Sequence, residues 1–214
     1  MSKILKNKGI LFDLDGTLWD VLEITYKSVN KIAKKYDLEK IEEATVKKVF
    51  GLSKEEVARL YFPSVGLNKA LQLFEEAETL NREYLNKYGG NIYDCLEKVL
   101  QELNKDYDLF IVSNASSNKY IESFLMSSKT KKYFKDYIAA GEFNISKDEA
   151  IKKIIEDYNL KKSVYVGDIY NDMEAAKEVG IPFIHARYGF GKDFKTEYYI
   201  DRVKDLPSVI KNIL

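Results

Sequence analysis

The chain has 214 residues, with 34 Lys and Arg, 34 Asp and Glu, one Cys, one His and a formal net charge of zero. At roughly 150 residues per domain, this length predicts one large domain or a large domain with a small one. A single cysteine excludes an internal disulfide and a cysteine-rich zinc site, and a single histidine excludes a multi-histidine metal site. The balanced charge argues against a nucleic acid partner, because proteins that bind the phosphate backbone carry a basic excess.

The N-terminal segment MSKILKNKGILF is basic and contains only a short apolar run. It lacks the apolar core of a signal peptide, and no run in the chain approaches the roughly 18 residues that a membrane span requires. We therefore expect a cytoplasmic protein with no membrane partner.

Short apolar runs without polar alternation predict strands that are covered on both faces of a sheet. Four such runs are rich in Ile, Val, Phe or Tyr, at residues 9–12, 108–112, 163–166 and 182–185. Weaker candidates lie at residues 137–139 and 198–200. Amphipathic helical patterns separate these runs, and Ser146 with Glu149 forms a capping box that starts one of the helices. Alternating strands and helices predict an α/β fold with a doubly wound, mostly parallel sheet.

Residues from about 20 to 89 show only helical periodicity. This stretch is too long for a single crossover helix between the first and second strands. We interpret it as an inserted α-helical domain at residues 20–89, with Asp20 as the N-cap of its first helix. Residues 1–19 and 90–214 then form the α/β core. The alternative is a single α/β domain with a long helical excursion.

Acidic residues follow the first predicted strand, in the segment Ile10-Leu11-Phe12-Asp13-Leu14-Asp15-Gly16-Thr17. Aspartate is disfavoured within strands, so Asp13 and Asp15 should lie at or beyond the strand's carboxyl end. In a doubly wound sheet that edge is where ligands bind. A polar loop with an Asp-Gly turn would explain this segment alone equally well.

Polar residues also follow two other predicted strands. Parallel strands end at the same edge of a sheet, so we expect these side chains to converge: Asp13, Asp15, Ser113, Asn114, Asp168 and Asp172. Carboxylates packed together repel one another unless a cation is present. Hard oxygen donors with few available imidazoles predict Mg²⁺ as that cation.

Lys147 is the expected basic member of this group. It follows the Ser146 cap, so it lies in the first turn of its helix, where a cation opposes the helix dipole. That position is unusual for a lysine that is only solvated, although lysine and glutamate are common throughout this part of the chain.

These residues resemble, in order, the four motifs of the haloacid dehalogenase-like phosphohydrolase superfamily. The matching residues are Asp13, Asp15, Gly16 and Thr17 for the first motif, Ser113 for the second, Lys147 for the third, and Gly167, Asp168 and Asp172 for the fourth. The helical insertion between the first two motifs is similar to the cap of that superfamily, and its Rossmann-like core would occupy the rest of the chain. Within the superfamily, the chain most resembles the phosphoglycolate-phosphatase-like branch.

The resemblance implies a mechanism. Asp13 would attack phosphorus and form an aspartyl-phosphate. Asp15 would protonate the leaving oxygen and then activate water. Mg²⁺ would be held by the Asp13 carboxylate, the Asp15 carbonyl and Asp168, with Asp172 as a further ligand or a partner of the bound waters.

The remaining motif residues would act on the phosphate group. Ser113, the Asn114 amide and Lys147 would hold phosphate oxygens, and Thr17 would orient the nucleophile. The substrate would be a small phosphorylated metabolite enclosed by the cap, with residues 51–54 and Arg59 as candidates for setting specificity. Oligomeric state is not predicted.

Three alternatives remain. A phosphomutase would use the same residues and differ only in excluding water. A signalling receiver domain is the second alternative. It is disfavoured because its lysine follows the acidic residues along the chain, whereas Lys147 precedes Asp168 here. A non-catalytic nucleotide-binding module is disfavoured because Gly189-Phe190-Gly191 lacks a third glycine at Phe194 and follows the wrong strand for a dinucleotide fingerprint.

His185 is interpreted as a strand-end residue packed near the site, and Trp19 as a packing residue.

Overall fold

The computed structural model describes residues 6–191 and 194–214. These form two compact units. The first comprises the described residues up to Trp19 and from Ile92 onward, and the second is Asp20–Asn91. Each unit has its own apolar core.

The helices and strands are numbered along the chain. They are β1 (Lys8–Phe12), β2 (Trp19–Asp20), α1 (Leu22–Lys35), α2 (Glu43–Lys48), α3 (Lys54–Tyr61), α4 (Leu67–Tyr88), β3 (Asn91–Ile92), α5 (Leu96–Leu103), β4 (Asp108–Ser113), α6 (Asn118–Ser128), β5 (Phe134–Ala139), α7 (Ala140–Phe143), α8 (Lys147–Asp157), β6 (Lys162–Gly167), α9 (Tyr170–Val179), β7 (Phe183–Ala186), β8 (Tyr198–Ile200) and α10 (Leu206–Ile213). Short 3₁₀ turns lie at Lys131–Tyr133 and Val203–Asp205.

The first unit is built on a parallel sheet of six strands in the order β5-β4-β1-β6-β7-β8. Its central strands β1, β4 and β6 carry fully buried side chains, such as Leu11, Phe110 and Tyr165, because helices cover the sheet. The predicted α/β class with a doubly wound, mostly parallel sheet is confirmed. β1 lies between β4 and β6, so the strand order reverses there, which in such sheets marks a ligand crevice.

Each predicted strand overlaps an observed one, with differences at the ends. The run at 137–139 is the end of the longer β5, whose exposed Lys135 breaks the apolar pattern. β2 and β3, of two residues each, form a separate two-stranded sheet that the sequence did not predict. Strands of that length are too short to show any periodicity.

The second unit consists of α1 to α4 around a core that includes Val29, Ile32 and Leu73. The predicted N-cap of α1 is wrong by one residue, because Val21 occupies that position. Asp20 lies one residue earlier, and its Oδ1 accepts a hydrogen bond from the Leu22 amide at 2.9 Å. The aspartate therefore bonds to the start of the helix from just outside it.

The start of α8 has the predicted capping box. Ser146 Oγ accepts from the Glu149 amide at 3.4 Å, and the Ser146 amide donates to Glu149 Oε2 at 2.8 Å. We expect Ser146→Ala to lower the free energy of unfolding by about 1 kcal/mol, because an amide at the helix start loses its acceptor. Urea denaturation measures this change.

Ser117→Ala is the matched control, since Ser117 is the N-cap of α6 but makes no side-chain cap hydrogen bond. Its unfolding free energy should stay within about 0.5 kcal/mol of the wild-type value. Equal losses in the two variants would show that the capping bond of α8 adds no stability.

Candidate active site

The carboxyl ends of β1, β4 and β6 meet at one edge of the sheet. Phe12 is paired with Ile111 on one side and Val166 on the other, so the residues after these strands lie beside one another. Asp13 follows β1, Ser113 ends β4, and Asp168 follows β6. The parallel register therefore places three of the predicted site residues at adjacent strand ends.

Lys147 lies among the carboxylates. Its Nζ donates to Asp13 Oδ1 at 2.8 Å and to Asp172 Oδ1 at 2.5 Å. The ammonium group also lies 5.8 Å from the ring centroid of Tyr165. All of these groups are buried, so Lys147 compensates acidic charge inside the protein.

Asp168 and Asp172 are held mainly by backbone amides. Asp168 Oδ2 accepts from the Phe190 amide at 2.6 Å, and its Oδ1 accepts from Thr17 Oγ1 at 3.5 Å. Asp172 Oδ2 accepts from the amides of Asp168 and Ile169 at 3.1 and 3.2 Å. These bonds fix the orientation of both carboxylates before any ligand binds.

Asp13, Asp168 and Asp172 each offer a carboxylate oxygen, and these oxygens lie within 4.8 Å of one another. Burial raises the pKa of Asp13 to about 7; Lys147 opposes this rise, and Asp172 adds to it. Burial also raises the pKa of Asp168 well above its usual range, with Asp172 and Asp13 adding to the effect. A group of acids that resist ionising together is suited to holding a cation.

The pKa of Lys147 responds to opposing effects. Burial lowers it, but the neighbouring charges of Asp13 and Asp172 more than compensate, so the pKa rises well above its usual value. Lys147 is therefore a fixed positive charge. Beside three carboxylates it leaves an excess of negative charge on hard oxygen donors, which fits a divalent cation such as Mg²⁺.

The Asp15 carboxylate lies outside this group of three. Its Oδ1 accepts hydrogen bonds from Trp19 Nε1 at 2.6 Å and from the Tyr120 hydroxyl at 3.0 Å. Trp19 is fully buried and packs edge-on against Tyr120 and Phe124. The sequence interpretation of Trp19 as a packing residue is thus incomplete, because its indole N–H also bonds to a motif residue.

Ser113 and Asn114 lie at the end of β4, beside the end of β1. Ser113 is buried, and its Oγ accepts from the Ala115 amide at 3.2 Å. Asn114 is half-buried. Both residues are placed at the same sheet edge as Asp13.

The sequence analysis missed the role of Gly189-Phe190-Gly191, which it treated only as an incomplete dinucleotide fingerprint. This segment packs against Asp168, so that a Cβ on Gly189 would lie 2.3 Å from the Asp168 Cβ. A Cβ on Gly191 would lie 2.0 Å from the Asp168 carbonyl oxygen. The detectable signal is a Gly-x-Gly shortly after a strand, which permits close backbone approach.

Gly16 and His185 also lie close to Asp168. Gly16 has a φ of +83°, and a Cβ there would lie 2.2 Å from Asp168 Oδ2. His185 Nε2 lies 3.1 Å from the Asp168 carbonyl oxygen, and its ring stacks on Phe194 at 4.0 Å between centroids. His185 is a buried strand residue beside the site, as the sequence suggested.

Comparison with known proteins shows the family of this chain. The haloacid dehalogenase-like hydrolase family matches residues 10–186. The chain belongs to this family. The match includes every predicted site residue and confirms the resemblance seen in the sequence.

Several relatives of this hydrolase are similar over most of their length. The phosphoglycolate phosphatase of Vibrio cholerae is 28% identical, over 86% of this chain and 85% of that protein. The glyceraldehyde 3-phosphate phosphatase of Methanocaldococcus jannaschii is 26% identical, over 96% of this chain and 98% of that protein. The crystal structure of a predicted phosphoglycolate phosphatase from Haemophilus somnus has a TM-score of 0.85 at 20% identity, over 97% of this chain and 100% of that one, which shows the same fold.

The family membership establishes the chain as a hydrolase. None of the helices within residues 6–191 and 194–214 combines the length and the apolar character needed to span a bilayer.

Proposed function

We propose that this hydrolase is a Mg²⁺-dependent phosphatase that cleaves a small-molecule phosphate monoester through an aspartyl-phosphate on Asp13. One observation carries the proposal: the buried Asp13 carboxylate bonds to Lys147 and lies within 4.8 Å of oxygens from two further buried carboxylates. The phosphoglycolate and glyceraldehyde 3-phosphate phosphatases support it, because both relatives are named for small phosphorylated substrates.

The metal would be held by Asp13, Asp168 and the Asp15 main-chain carbonyl. Asp172 would serve either as a fourth ligand or through bound water. Both of its oxygens already accept hydrogen bonds from Lys147 or from backbone amides, which favours the role through water. When bound, Mg²⁺ supplies positive charge that offsets the charge of the phosphate group.

The protein groups have complementary roles in the proposed reaction. Asp13 attacks phosphorus, and Lys147 fixes the orientation of its carboxylate through the 2.8 Å hydrogen bond. Asp15 protonates the leaving oxygen and then takes a proton from the water that hydrolyses the aspartyl-phosphate. Ser113 and Asn114, with Lys147, hold phosphate oxygens.

The structure suggests a modified role for Thr17. The sequence resemblance assigns it to the nucleophile, but the hydrogen bond of its Oγ1 goes to Asp168. We assign Thr17 to orienting the Asp168 carboxylate.

The helical unit Asp20–Asn91 would be the cap of this enzyme. Residues 51–54 and Arg59 stay the candidates for substrate specificity. Arg59 lies in the last turn of α3, a helix that starts at the Ser53 capping box, so its backbone is well fixed. Closure of a cap over a small substrate would exclude bulk water during phosphoryl transfer.

Phosphate release from 4-nitrophenyl phosphate, 2-phosphoglycolate and glyceraldehyde 3-phosphate tests the proposal. We expect activity that EDTA abolishes and added Mg²⁺ restores. Mg²⁺ should also raise the melting temperature of the wild type, because it binds only the folded site. Asp168→Asn should lose both responses.

Asp157→Asn is the matched control, since Asp157 is an exposed partner of Lys153 on α8. It should behave as the wild type. Full activity in EDTA, or no phosphate release from any of the three compounds, would contradict the proposal. Product analysis with a hexose 1-phosphate distinguishes hydrolysis from the phosphomutase alternative, which would yield the 6-phosphate.

A further inference from the structure

Two hydrogen-bond donors converge on one oxygen of Asp15. Trp19 Nε1 lies 2.6 Å from Asp15 Oδ1, and the Tyr120 hydroxyl lies 3.0 Å from the same atom. A carboxylate can rotate about its side-chain torsions, and two donors from different directions restrict that rotation. The orientation of Asp15 is therefore set by residues outside the family motifs.

The two donors are themselves held in place. Trp19 is fully buried. Its ring centroid lies 5.8 Å from that of Tyr120 and 5.2 Å from that of Phe124, both in edge-on geometry. Its carbonyl accepts from the Gly16 amide at 2.9 Å, so the turn after Asp15 brings the indole back beside the carboxylate. Tyr120 lies in the first turn of α6, so the two hydrogen bonds to Asp15 join distant parts of the chain.

We infer that Trp19 and Tyr120 are positioning residues that hold the Asp15 carboxyl group for proton transfer to the leaving oxygen. This inference rests on the proposed phosphatase function. Both hydrogen bonds end on Oδ1, so the two donors fix the direction in which the carboxyl group faces.

The proton balance of the reaction follows from this assignment. As Asp13 forms its bond to phosphorus, the bond between phosphorus and the leaving oxygen breaks, and that oxygen keeps the electron pair. It takes the proton from the Asp15 carboxyl group, which leaves Asp15 as a carboxylate. In the second step water attacks phosphorus and returns a proton to Asp15, releasing phosphate and restoring Asp13.

The test uses Trp19→Phe and Tyr120→Phe, which remove one donor each and keep an aromatic ring. The kcat/KM is measured for 4-nitrophenyl phosphate, whose leaving group departs without a proton, and for phenyl phosphate and an alkyl phosphate, whose leaving groups need one. A well-placed general acid contributes about 10²- to 10⁴-fold, so we expect a loss of at least about 10-fold more on the alkyl ester than on the nitrophenyl ester.

Equal losses on all esters, or no loss, would overturn the inference, because a structural defect acts on every substrate alike. If Trp19→Phe fails to fold, Tyr120→Phe alone decides, since Tyr120 is only half-buried. Tyr158→Phe is the matched control: its hydroxyl also donates to a carboxylate, Asp136, at 2.7 Å. It should leave the dependence on leaving group unchanged.

A spectroscopic measurement tests the contact without activity. The chain has a single tryptophan, so its indole N–H gives one resonance in a ¹⁵N correlation spectrum. That resonance should shift in Asp15→Ala. An unchanged resonance would contradict the hydrogen bond between Trp19 and Asp15 and overturn the inference. No phosphate release by the wild type from any ester overturns the proposed function and the inference together, whereas wild-type hydrolysis with equal losses in the variants overturns only the inference.

Discussion

Asp13→Asn is expected to lower kcat by at least about 10⁴-fold on every phosphate ester that the wild type hydrolyses. An amide oxygen is a poor nucleophile, and no aspartyl-phosphate can form on it. Phosphate release under saturating Mg²⁺ measures the loss. Asp201→Asn is the control, since Asp201 is exposed and pairs with Arg187, the residue after β7, and it should retain wild-type turnover.

The same variant should remain folded. Burial and the charge of Asp172 raise the pKa of Asp13 to about 7, against the opposing effect of Lys147. The ionised form of Asp13 is therefore destabilised in the folded protein. Asparagine removes that repulsion, and Lys147 keeps its hydrogen bond to Asp172. We expect an unfolding free energy within about 1 kcal/mol of the wild type in urea. A folded variant with substantial turnover would exclude Asp13 as the nucleophile.

Lys147→Ala should have the largest effect on stability. Removing one partner of a buried ion pair costs about 3–5 kcal/mol, because the remaining charge is left in a medium of low dielectric. Here the substitution leaves Asp13 and Asp172 without the ammonium group that both of them bind. Urea denaturation in EDTA should show this loss, and turnover should fall with weaker binding of substrate or metal.

Lys152→Ala is the control on the same helix. Lys152 is exposed and pairs with Asp148 at 3.1 Å, one turn earlier in α8. Exposed pairs of this kind contribute about 0.3–0.5 kcal/mol, so the variant should be nearly as stable as the wild type. Similar stability of the two variants would show that Lys147 is not the charge that stabilises the acidic group, and unchanged kinetics in Lys147→Ala would remove it from the site.

The fold class was readable from the sequence because its signals are local. Each central strand is a short apolar run, as in residues 9–12 and 163–166, and burial on both faces follows directly from that pattern. Parallel strands between helices must end at one edge. The sequence alone therefore predicted that Asp13, Ser113 and Asp168 would lie at one edge of the sheet, and the structure places them there, on adjacent strands.

The hydrogen bonds within the site were decided by tertiary structure. Lys147 bonds to Asp13 and Asp172, and no periodicity could identify those two partners among the acidic residues. The Gly189-Phe190-Gly191 segment reaches Asp168 only because β7 lies beside β6 in the sheet.

The surroundings of Asp15 show most clearly which features the sequence determines and which the tertiary structure determines. The aspartate and its place after β1 were determined by the sequence motif and the strand pattern. Its partner Tyr120 lies 105 residues away, in α6, the helix that follows β4, and β4 pairs with β1. Local residue preferences determine where strands and helices form, and the order of the motifs is that of the amino-acid sequence. Contacts between distant residues depend on how those elements pack together, and they determine which atoms meet in the site.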